Sequence, residues 1–292
     1  MERVDRAFEM MQDCAVCPQH CHVNRIEDEL GFCRTGRLPQ VSSYGPHFGE
    51  EPPLVGRNGS GTIFMTNCNM RCEFCQNYDI SQCGRGYETS FEGLAEIMLR
   101  LQQRGCHNIN FVSPSHVVPQ ILRAVSIAAS KGLTIPLVYN CGGYDEVDTL
   151  RLLDGVFNIY MPDAKYGRDD IAQTLSHARD YTRFMKAALR EMHRQAGDLV
   201  IENGIAVRGM IIRHLVLPAN LANSELVLEF IAEEISRDSY VNIMAQYYPA
   251  WHAAGDLRDP ALQPLRRRIT QEEYRYAVGC ALELGLHRGF RA

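Results

Sequence analysis

The 292-residue sequence lacks the features that would assign it to a membrane or to a nucleic acid. No apolar run is long enough to cross a bilayer, so no transmembrane helix is expected. The chain begins Met1-Glu2-Arg3-Val4-Asp5, which is not the start of a signal peptide. No run is rich in lysine and arginine and the net charge is -5, so electrostatics give no reason to expect nucleic acid or an anionic membrane.

Cysteine, in contrast, is abundant. The chain has 11 cysteines, and without an export signal this number points to metal ligands in a reducing compartment rather than to disulfides. Apolar residues make up 46% and charged residues 22%, as in an ordinary globular protein able to bury a large core. We therefore expect a cytoplasmic metal protein.

Three of the cysteines lie in one short segment, Cys68, Cys72 and Cys75, with the spacing C-x3-C-x2-C and Phe74 before the last. Three thiolates this close can bind three corners of an iron–sulfur cube. The fourth iron then has no protein ligand and is free to bind a substrate or cofactor. A zinc ion on the same ligands would also keep an open position, so the spacing alone does not choose the metal.

Residues 1–57 form a cysteine-rich extension that precedes residues 58–292. Four cysteines follow the spacing C-x2-C-x3-C-x11-C: Cys14, Cys17, Cys21 and Cys33. Because so short a segment has little core of its own, a metal would hold it together. An auxiliary iron–sulfur cluster that feeds electrons to the first site and a structural zinc both fit, and His20 or His22 would be able to replace a cysteine.

The end of this extension, residues 44–56, is rich in glycine and proline and is expected to be mostly loop. It carries His47 and the adjacent carboxylates Glu50 and Glu51. A loop histidine and two carboxylates beside a proposed site would be able to contact a substrate. A solvated linker is the alternative.

From residue 59 onward, short apolar strands alternate with amphipathic helices. The predicted strands are 62–65, 109–112, 135–139, 156–161, 209–216 and 241–247. Ser90 is expected to cap one helix and Thr270 to begin the last with a capping box. Such alternation implies parallel β-α units, and six of them make a partial barrel or an open curved sheet. Ligands of such folds bind at the carboxyl ends of the strands.

Polar or glycine-rich residues follow every predicted strand, which indicates one site at that edge. The candidates besides the cysteines are Ser113, Ser115, His116, Asn140, Cys141, Asp163, Lys165, Arg213 and Gln246.

The cysteine loop at a strand end resembles the signature of the radical S-adenosylmethionine (SAM) superfamily. The N-terminal cysteines, residues 47–56 and the strand ends further resemble homologues of the pyruvate formate-lyase activating enzyme and the radical SAM partner of AMMECR1/Memo-type proteins. This resemblance covers nearly the whole chain. It implies an α/β partial (β/α)6 barrel with a [4Fe–4S] cluster on the C-x3-C-x2-C cysteines. SAM would bind the open iron and be cleaved to methionine and a 5′-deoxyadenosyl radical.

The resemblance also implies roles for some strand-end residues. The activating enzymes hold the SAM amino group with a Gly-Gly-Glu element, which is replaced here by Ser113-Pro114-Ser115-His116. Hydroxyls, a backbone carbonyl or His116 would then do the holding. Asn140 would reach the ribose hydroxyls.

The remaining candidates are interpreted from their chemistry. Asp163 and Lys165 would bind the two charged ends of an amino acid, or the ribose and carboxylate of SAM, or would form a mutual salt bridge. Arg213 would pair with the SAM carboxylate through two parallel hydrogen bonds. Gln246 would close the adenine or substrate side. Cys141 is either a hydrogen-atom donor to a substrate radical or a small residue in a tight turn.

The function predicted from these residues is that of a radical SAM oxidoreductase. Its substrate, a small molecule or a protein, is not identified, and one version is an activase that places a glycyl radical on a partner enzyme. The electron donor would be a flavodoxin or a ferredoxin. The alternatives are a non-catalytic scaffold with zinc in both cysteine sets and a two-cluster electron carrier.

Overall fold

One β-sheet organises the molecule, described here from a computed structural model that covers residues 2–255, 257 and 260–290. Within these residues the strands are β1 (Gln40–His47), β2 (Ser60–Met65), β3 (Tyr87–Glu88), β4 (Ile109–Val112), β5 (Leu137–Cys141), β6 (Ile159–Pro162), β7 (Val200–Glu202), β8 (Ile205–Leu215) and β9 (Tyr240–Met244). The α-helices are α1 (Glu2–Glu9), α2 (Pro52–Val55), α3 (Tyr78–Ser81), α4 (Phe91–Gln103), α5 (Val118–Ser130), α6 (Val147–Arg151), α7 (Asp169–Ser176), α8 (Tyr181–Ala196), α9 (Ser224–Phe230) and α10 (Gln271–Glu283).

The centre of the sheet is a run of six parallel strands in the order β2-β4-β5-β6-β8-β9. Antiparallel strands flank it: β1 pairs with β2, β3 with β1, and β7 with β8. The two ends of the parallel run are not joined in the described part of the chain, so the sheet is an open, partial barrel. The predicted partial (β/α)6 barrel is confirmed.

Alternation of side chains gives this sheet two different faces. The outer face packs on the helices through residues such as Ile63, Phe111 and Tyr139. The inner face is lined at one end by Val138, Ile159, Met161 and Ile211, which surround Leu54 of α2. The inner face therefore forms a lumen that α2 fills from one end.

Capping residues and the spacing of apolar residues determine where the helices begin and which face they bury. Ser90 Oγ accepts a hydrogen bond from Gly93 N at the start of α4, as predicted. Thr270 and Glu273 form the predicted capping box of α10. Hydrophobic positions along α4 at helical spacing are buried: Leu94, Ala95, Ile97, Met98 and Leu101.

The expectation that residues 44–56 are mostly loop was wrong in part. Residues Gln40–His47 form β1, which pairs with β2 as far as His47 and Ser60, and Pro52–Val55 form α2. Pro46 is tolerated because β3 pairs with β1 only at Gln40 and Val41, which leaves the outer side of β1 open at the proline. Three strands also lie two residues or so from the predicted bounds, at Leu137–Cys141, Ile159–Pro162 and Tyr240–Met244. The boundary after residue 57 stays a prediction.

Candidate active site

The C-x3-C-x2-C loop leaves the end of β2 and packs against α7. The backbone N–H groups of Arg71 and Glu73 each donate to α7 carbonyls, those of Ser176 and Leu175, over 2.9 Å. Phe74 is buried and packs edge-on against Tyr247, with 5.7 Å between ring centroids. The loop that carries the three thiols is therefore fixed by backbone pairing and by one aromatic contact.

The thiols of this loop are partly buried and close together. Burial, with Cys72 and Cys75 nearby, raises the pKa of Cys68 to about 12. Burial also raises the pKa of Cys72, to about 11, although the charge of Lys165 opposes it. Thiols with such pKa values stay protonated at neutral pH unless a metal binds the sulfur and displaces the proton. Three soft sulfur donors in a half-buried loop are a donor set that fits an iron–sulfur cluster.

A charged cluster lies at the ends of the next strands. Arg213 Nε donates to Asp163 Oδ1 over 2.7 Å, and Arg213 Nη2 donates to Asn140 Oδ1 over 2.6 Å. Lys165 Nζ donates to the other carboxylate oxygen of Asp163. The strand ends of β5, β6 and β8 thus meet in one network, and the mutual salt bridge left open by the sequence is present.

Electrostatics keep this network ionised. Burial opposes the charge of Asp163, but Arg213 and Lys165 outweigh it and hold the pKa of the carboxyl below its ordinary value. Burial likewise opposes the charge of Lys165, yet Asp163 and Cys72 raise its pKa. Within this trio one carboxylate faces two cations, which gives donors for an anionic group, and Glu51 and Glu50 also lie near Arg213 and raise its pKa.

The charged cluster and the cysteine loop form one site. A Cβ on Gly142, after β5, would lie 2.8 Å from Met70 Sδ of the cysteine loop and 3.6 Å from Lys165 Cε. Lys165 is close enough to lower the pKa of both Cys68 and Cys72. The structure therefore brings the cysteines together with Asp163, Lys165, Arg213 and Asn140.

Two serines follow β4. Ser113 N donates to Asn140 O over 3.0 Å, and Ser113 has a left-handed backbone with φ of 58°. Ser115 is buried and lies beside Asp145. Ser113 is thus held at the site edge through Asn140, whereas Ser115 faces the buried carboxyl.

The structure places His116 inside the protein. It is buried, with Nε2 3.0 Å from Thr66 O, and burial together with the nearby Arg25 lowers its pKa to about 3. The imidazole is therefore neutral, and its visible contact braces the residue two positions before Cys68. A catalytic role for His116 stays a prediction that nothing here tests.

Cys141 and Gln246 lie apart from the charged cluster. Cys141 is buried, and burial and the negative charge of Asp145 raise its pKa well above the ordinary value. It alternates with Asn140 and therefore points to the opposite face of β5. Gln246 is exposed, and its backbone carbonyl accepts a hydrogen bond from Gln76. The roles predicted for both residues stay untested.

The four N-terminal cysteines converge in a second place. Burial raises the pKa of Cys17 well above its ordinary value, and Cys33, Cys14 and Cys21 raise it further. Phe32 N donates to Cys21 Sγ over 3.2 Å. These four cysteines are named the N-terminal quartet below.

The two histidines near the quartet have other partners. His20 Nε2 lies 2.8 Å from Glu146 Oε2, and His22 Nδ1 lies 2.9 Å from Asp13 Oδ1. Both rings are well exposed. The structure thus pairs the histidines with carboxylates. Among the described residues, no three His, Cys, Asp or Glu side chains are grouped closely enough to hold a single metal ion.

Arg25 is a buried cation at the quartet, and sequence reasoning missed it. Only 1% of its surface is exposed. It donates to the carbonyls of Thr35, His116 and Gly36 over 2.7, 2.8 and 3.3 Å, and its Nη1 lies 3.8 Å from Cys14 Sγ. A lone arginine in a polar stretch gives no periodic or spacing signal that would have identified it.

Arg71 connects the quartet to the cysteine loop. Its guanidinium donates to Phe32 O over 2.8 Å and stands 4.7 Å above the Phe32 ring. Burial and the nearby Arg34 lower its pKa, while Cys33 and Cys68 act in the opposite direction. One thiol of each set therefore lies near this side chain.

A model of the Radical SAM superfamily matches residues 62–231, more than half of the chain. The protein therefore belongs to the radical SAM superfamily, and membership implies a [4Fe–4S] cluster and SAM. The chain is 30% identical to the uncharacterized protein MJ0674 of Methanocaldococcus jannaschii over 294 residues, which cover 97% of this chain and 78% of that relative.

Two solved structures of the [FeFe]-hydrogenase maturase HydG share the fold. The enzyme from Carboxydothermus hydrogenoformans gives a TM-score of 0.52 at 10% identity, over 77% of this chain and 51% of the other. A second HydG structure gives 0.50 at 10% identity, over 78% and 49%. The chain spans about half the length of these structures, and the likeness shows the fold alone.

In the part of the chain that the structure describes, no helix is both long enough and apolar enough to cross a membrane.

Proposed function

We propose that the protein is an enzyme that cleaves SAM reductively and takes a hydrogen atom from a separate substrate. The observation that carries this proposal is the proximity of the cysteine loop to the charged cluster of Asp163, Lys165 and Arg213. The three cysteines of the loop would be enough for superfamily membership, so they do not by themselves indicate where SAM binds. The largely buried cations Lys165 and Arg213 beside them provide donors for the charged end of a bound amino acid derivative.

The chain's own residues divide the work of binding. Cys68, Cys72 and Cys75 would hold the cluster, which when reduced supplies the electron that splits SAM. Arg213 would donate to the SAM carboxylate, and its present bonds to Asn140 on β5 and to Asp163 directly after β6 support this role. Asp163 would keep Arg213 and Lys165 oriented. Asn140 would form a hydrogen bond with a ribose hydroxyl of SAM, as donor or as acceptor.

We further propose that the N-terminal quartet holds an iron–sulfur cluster. A buried guanidinium is costly unless an anion faces it, yet Arg25 has only carbonyl and thiol partners among the described residues. Thiolates bound to a metal would supply the missing negative charge. Arg71 supports an electron-transfer role, because it lies near a thiol of each set.

Activation of a glycyl radical enzyme depends on the sequence resemblance alone. The flavodoxin or ferredoxin donor, the cytoplasmic location and the domain boundary after residue 57 are likewise proposed from the sequence alone. No contact in the structure favours one substrate partner over another at this level.

The test is production of 5′-deoxyadenosine from SAM by the anaerobic, reduced protein. Wild type is compared with Arg213→Lys, which keeps the charge but loses the paired donors, and with Cys280→Ala, which lies on α10 outside both cysteine sets. We expect product from wild type and Cys280→Ala and at least a tenfold loss in Arg213→Lys. No product from the reconstituted wild type would refute the proposal.

A further inference from the structure

Residues 47–56 close one end of the barrel lumen. Leu54 is fully buried against Val138, Ile159 and Ile211 on the inner face of the sheet. Its carbonyl accepts a hydrogen bond from Asn108 Nδ2 over 2.9 Å. This segment is therefore a plug, anchored by an apolar contact and by a buried amide, and not a solvated linker.

The plug directs two carboxylates into the lumen. Glu50 Oε1 accepts from Thr62 Oγ1 of β2 over 3.4 Å and lies 3.0 Å from His47 Nδ1. Glu51 Oε2 accepts from Asn242 Nδ2 of β9 over 2.7 Å. The two carboxylates are thus held by side chains on β2 and β9, the first and last strands of the parallel run.

Glu51 also lies on the side of the charged strand-end cluster. Burial raises its pKa, while Asn242 and the charge of Arg213 act to lower it and Glu50 to raise it. The two carboxylates of the plug therefore lie close to each other and face the network that would bind SAM.

Asn110 gives an independent indication of a ligand in the same space. It is fully buried, and neither its amide nitrogen nor its amide oxygen has a partner among the residues that the structure describes. It lies opposite Thr62 in the strand register and, two residues from Asn108, shares the lumen face. Buried amides of this kind are normally satisfied by an ordered water or a ligand.

We propose that the lumen between the plug and the strand-end cluster binds the substrate, and that the substrate carries an ammonium or guanidinium group. Glu50 and Glu51 would receive the cation, and Asn110 would hydrogen-bond a polar group beside it. The partners that now hold the carboxylates are mostly neutral, so a cationic ligand gains charge-assisted hydrogen bonds there. This inference rests on the proposed function, since it places the ligand beside the SAM site.

The test is calorimetric titration of the anaerobic, cluster-reconstituted protein with SAM present. Agmatine and pentylamine are the cationic probes, and pentan-1-ol and pentanoate are the matched neutral and anionic ones. The variants are Glu50→Gln, Glu51→Gln and Asn110→Leu. Glu96→Gln is the matched control, because Glu96 is an exposed glutamate that pairs with Arg100 on the same helix.

We expect saturable binding of at least one cationic probe and none of pentanoate. Affinity should fall at least tenfold in each glutamate variant and stay unchanged in Glu96→Gln. Asn110→Leu should lose affinity without lowering the urea midpoint, because leucine removes an unpaired amide of similar size. Absence of cation binding, or equal binding in all variants, would overturn the inference.

The same preparation separates this inference from the proposed function. If the wild type makes 5′-deoxyadenosine but binds no cationic probe, the proposed SAM cleavage stands and the proposed cationic substrate class is wrong. A lower urea midpoint in Asn110→Leu together with unchanged probe affinity assigns Asn110 to an ordered water and removes it from the site.

Discussion

Arg213 Nε lies 2.7 Å from Asp163 Oδ1 and joins the end of β8 to the end of β6. The same carboxylate also pairs with Lys165, so it is the anion shared by two buried cations. This relationship determines how the strand-end site responds to substitution.

Removal of the shared anion should be more harmful than removal of one cation. Asp163→Asn leaves Arg213 and Lys165 without a charge partner, and breaking a buried pair in this way costs about 3–5 kcal/mol. Arg213→Met leaves Asp163 paired with Lys165 and should cost less. Urea unfolding of both variants checks the order; an equal or reversed order would show that the cations do not depend on Asp163.

Gly143 leaves room for the carbonyl of Asp163. Its φ is 73°, and a Cβ there would overlap Asp163 O. Gly155 has the same φ, and no described atom would lie within 4 Å of a Cβ there, so it is the matched control. Both alanine variants should lose about 1–2 kcal/mol to left-handed strain. Only Gly143→Ala should also weaken SAM binding; an equal effect in Gly155→Ala would remove Gly143 from the site.

His116 should make the protein less stable in mild acid. Its folded-state pKa is about 3, well below the ordinary histidine value. Between about pH 6.5 and 3 the unfolded chain binds a proton that the folded protein does not, so stability is full above pH 6.5 and falls as pH decreases. The slope from this one group is about 1.4 kcal/mol per pH unit.

Comparison of wild type with His116→Gln isolates this term. The difference in free energy of unfolding, measured in urea at several pH values, should shrink as pH falls below 6.5. A difference that does not change with pH would mean that His116 is protonated in the folded protein.

Much of the fold could be predicted because it depends on local sequence patterns. The apolar spacing of α4, the capping box at Thr270 and the six parallel strands all depend on neighbouring residues, and the structure has them. The gathering of Asp163, Lys165 and Arg213 with the cysteines follows from one general property, that parallel strands end at the same edge.

What could not be predicted depends on contacts between distant parts of the chain. The Gly-Pro pair of β1 suggests a loop, and only pairing with β2 makes it a strand. Arg25 is buried because Thr35 and the carbonyl of His116, 91 residues away, surround it. Asn110 lies within a short apolar strand, where nothing in the sequence shows that its amide lacks a partner.

Arg25 should matter more with metal bound than without it. In the metal-free protein, Arg25→Met removes a cation whose partners in the described part of the chain are carbonyls and a thiol. In the metal-bound protein it also removes the charge that balances the quartet. We expect Arg25→Met to lose quartet metal to a chelator at least tenfold faster than wild type, and Arg25→Lys to be intermediate.

Arg6→Met, with its charge on α1, is the control for a general loss of positive charge. Equal chelator rates in wild type and Arg25→Met would show that the guanidinium does not balance a metal centre.

The two separate cysteine sets are expected to hold two iron–sulfur centres, of which only the first cleaves SAM. Iron, sulfide and zinc should be counted per chain, with 5′-deoxyadenosine, in anaerobic wild type, in Cys68→Ala/Cys72→Ala/Cys75→Ala and in Cys14→Ala/Cys17→Ala/Cys21→Ala/Cys33→Ala. We predict that the first variant keeps iron and loses all SAM cleavage, and that the second loses only the quartet's iron. Zinc in place of the remaining iron, or SAM cleavage that survives loss of Cys68, Cys72 and Cys75, would contradict the account.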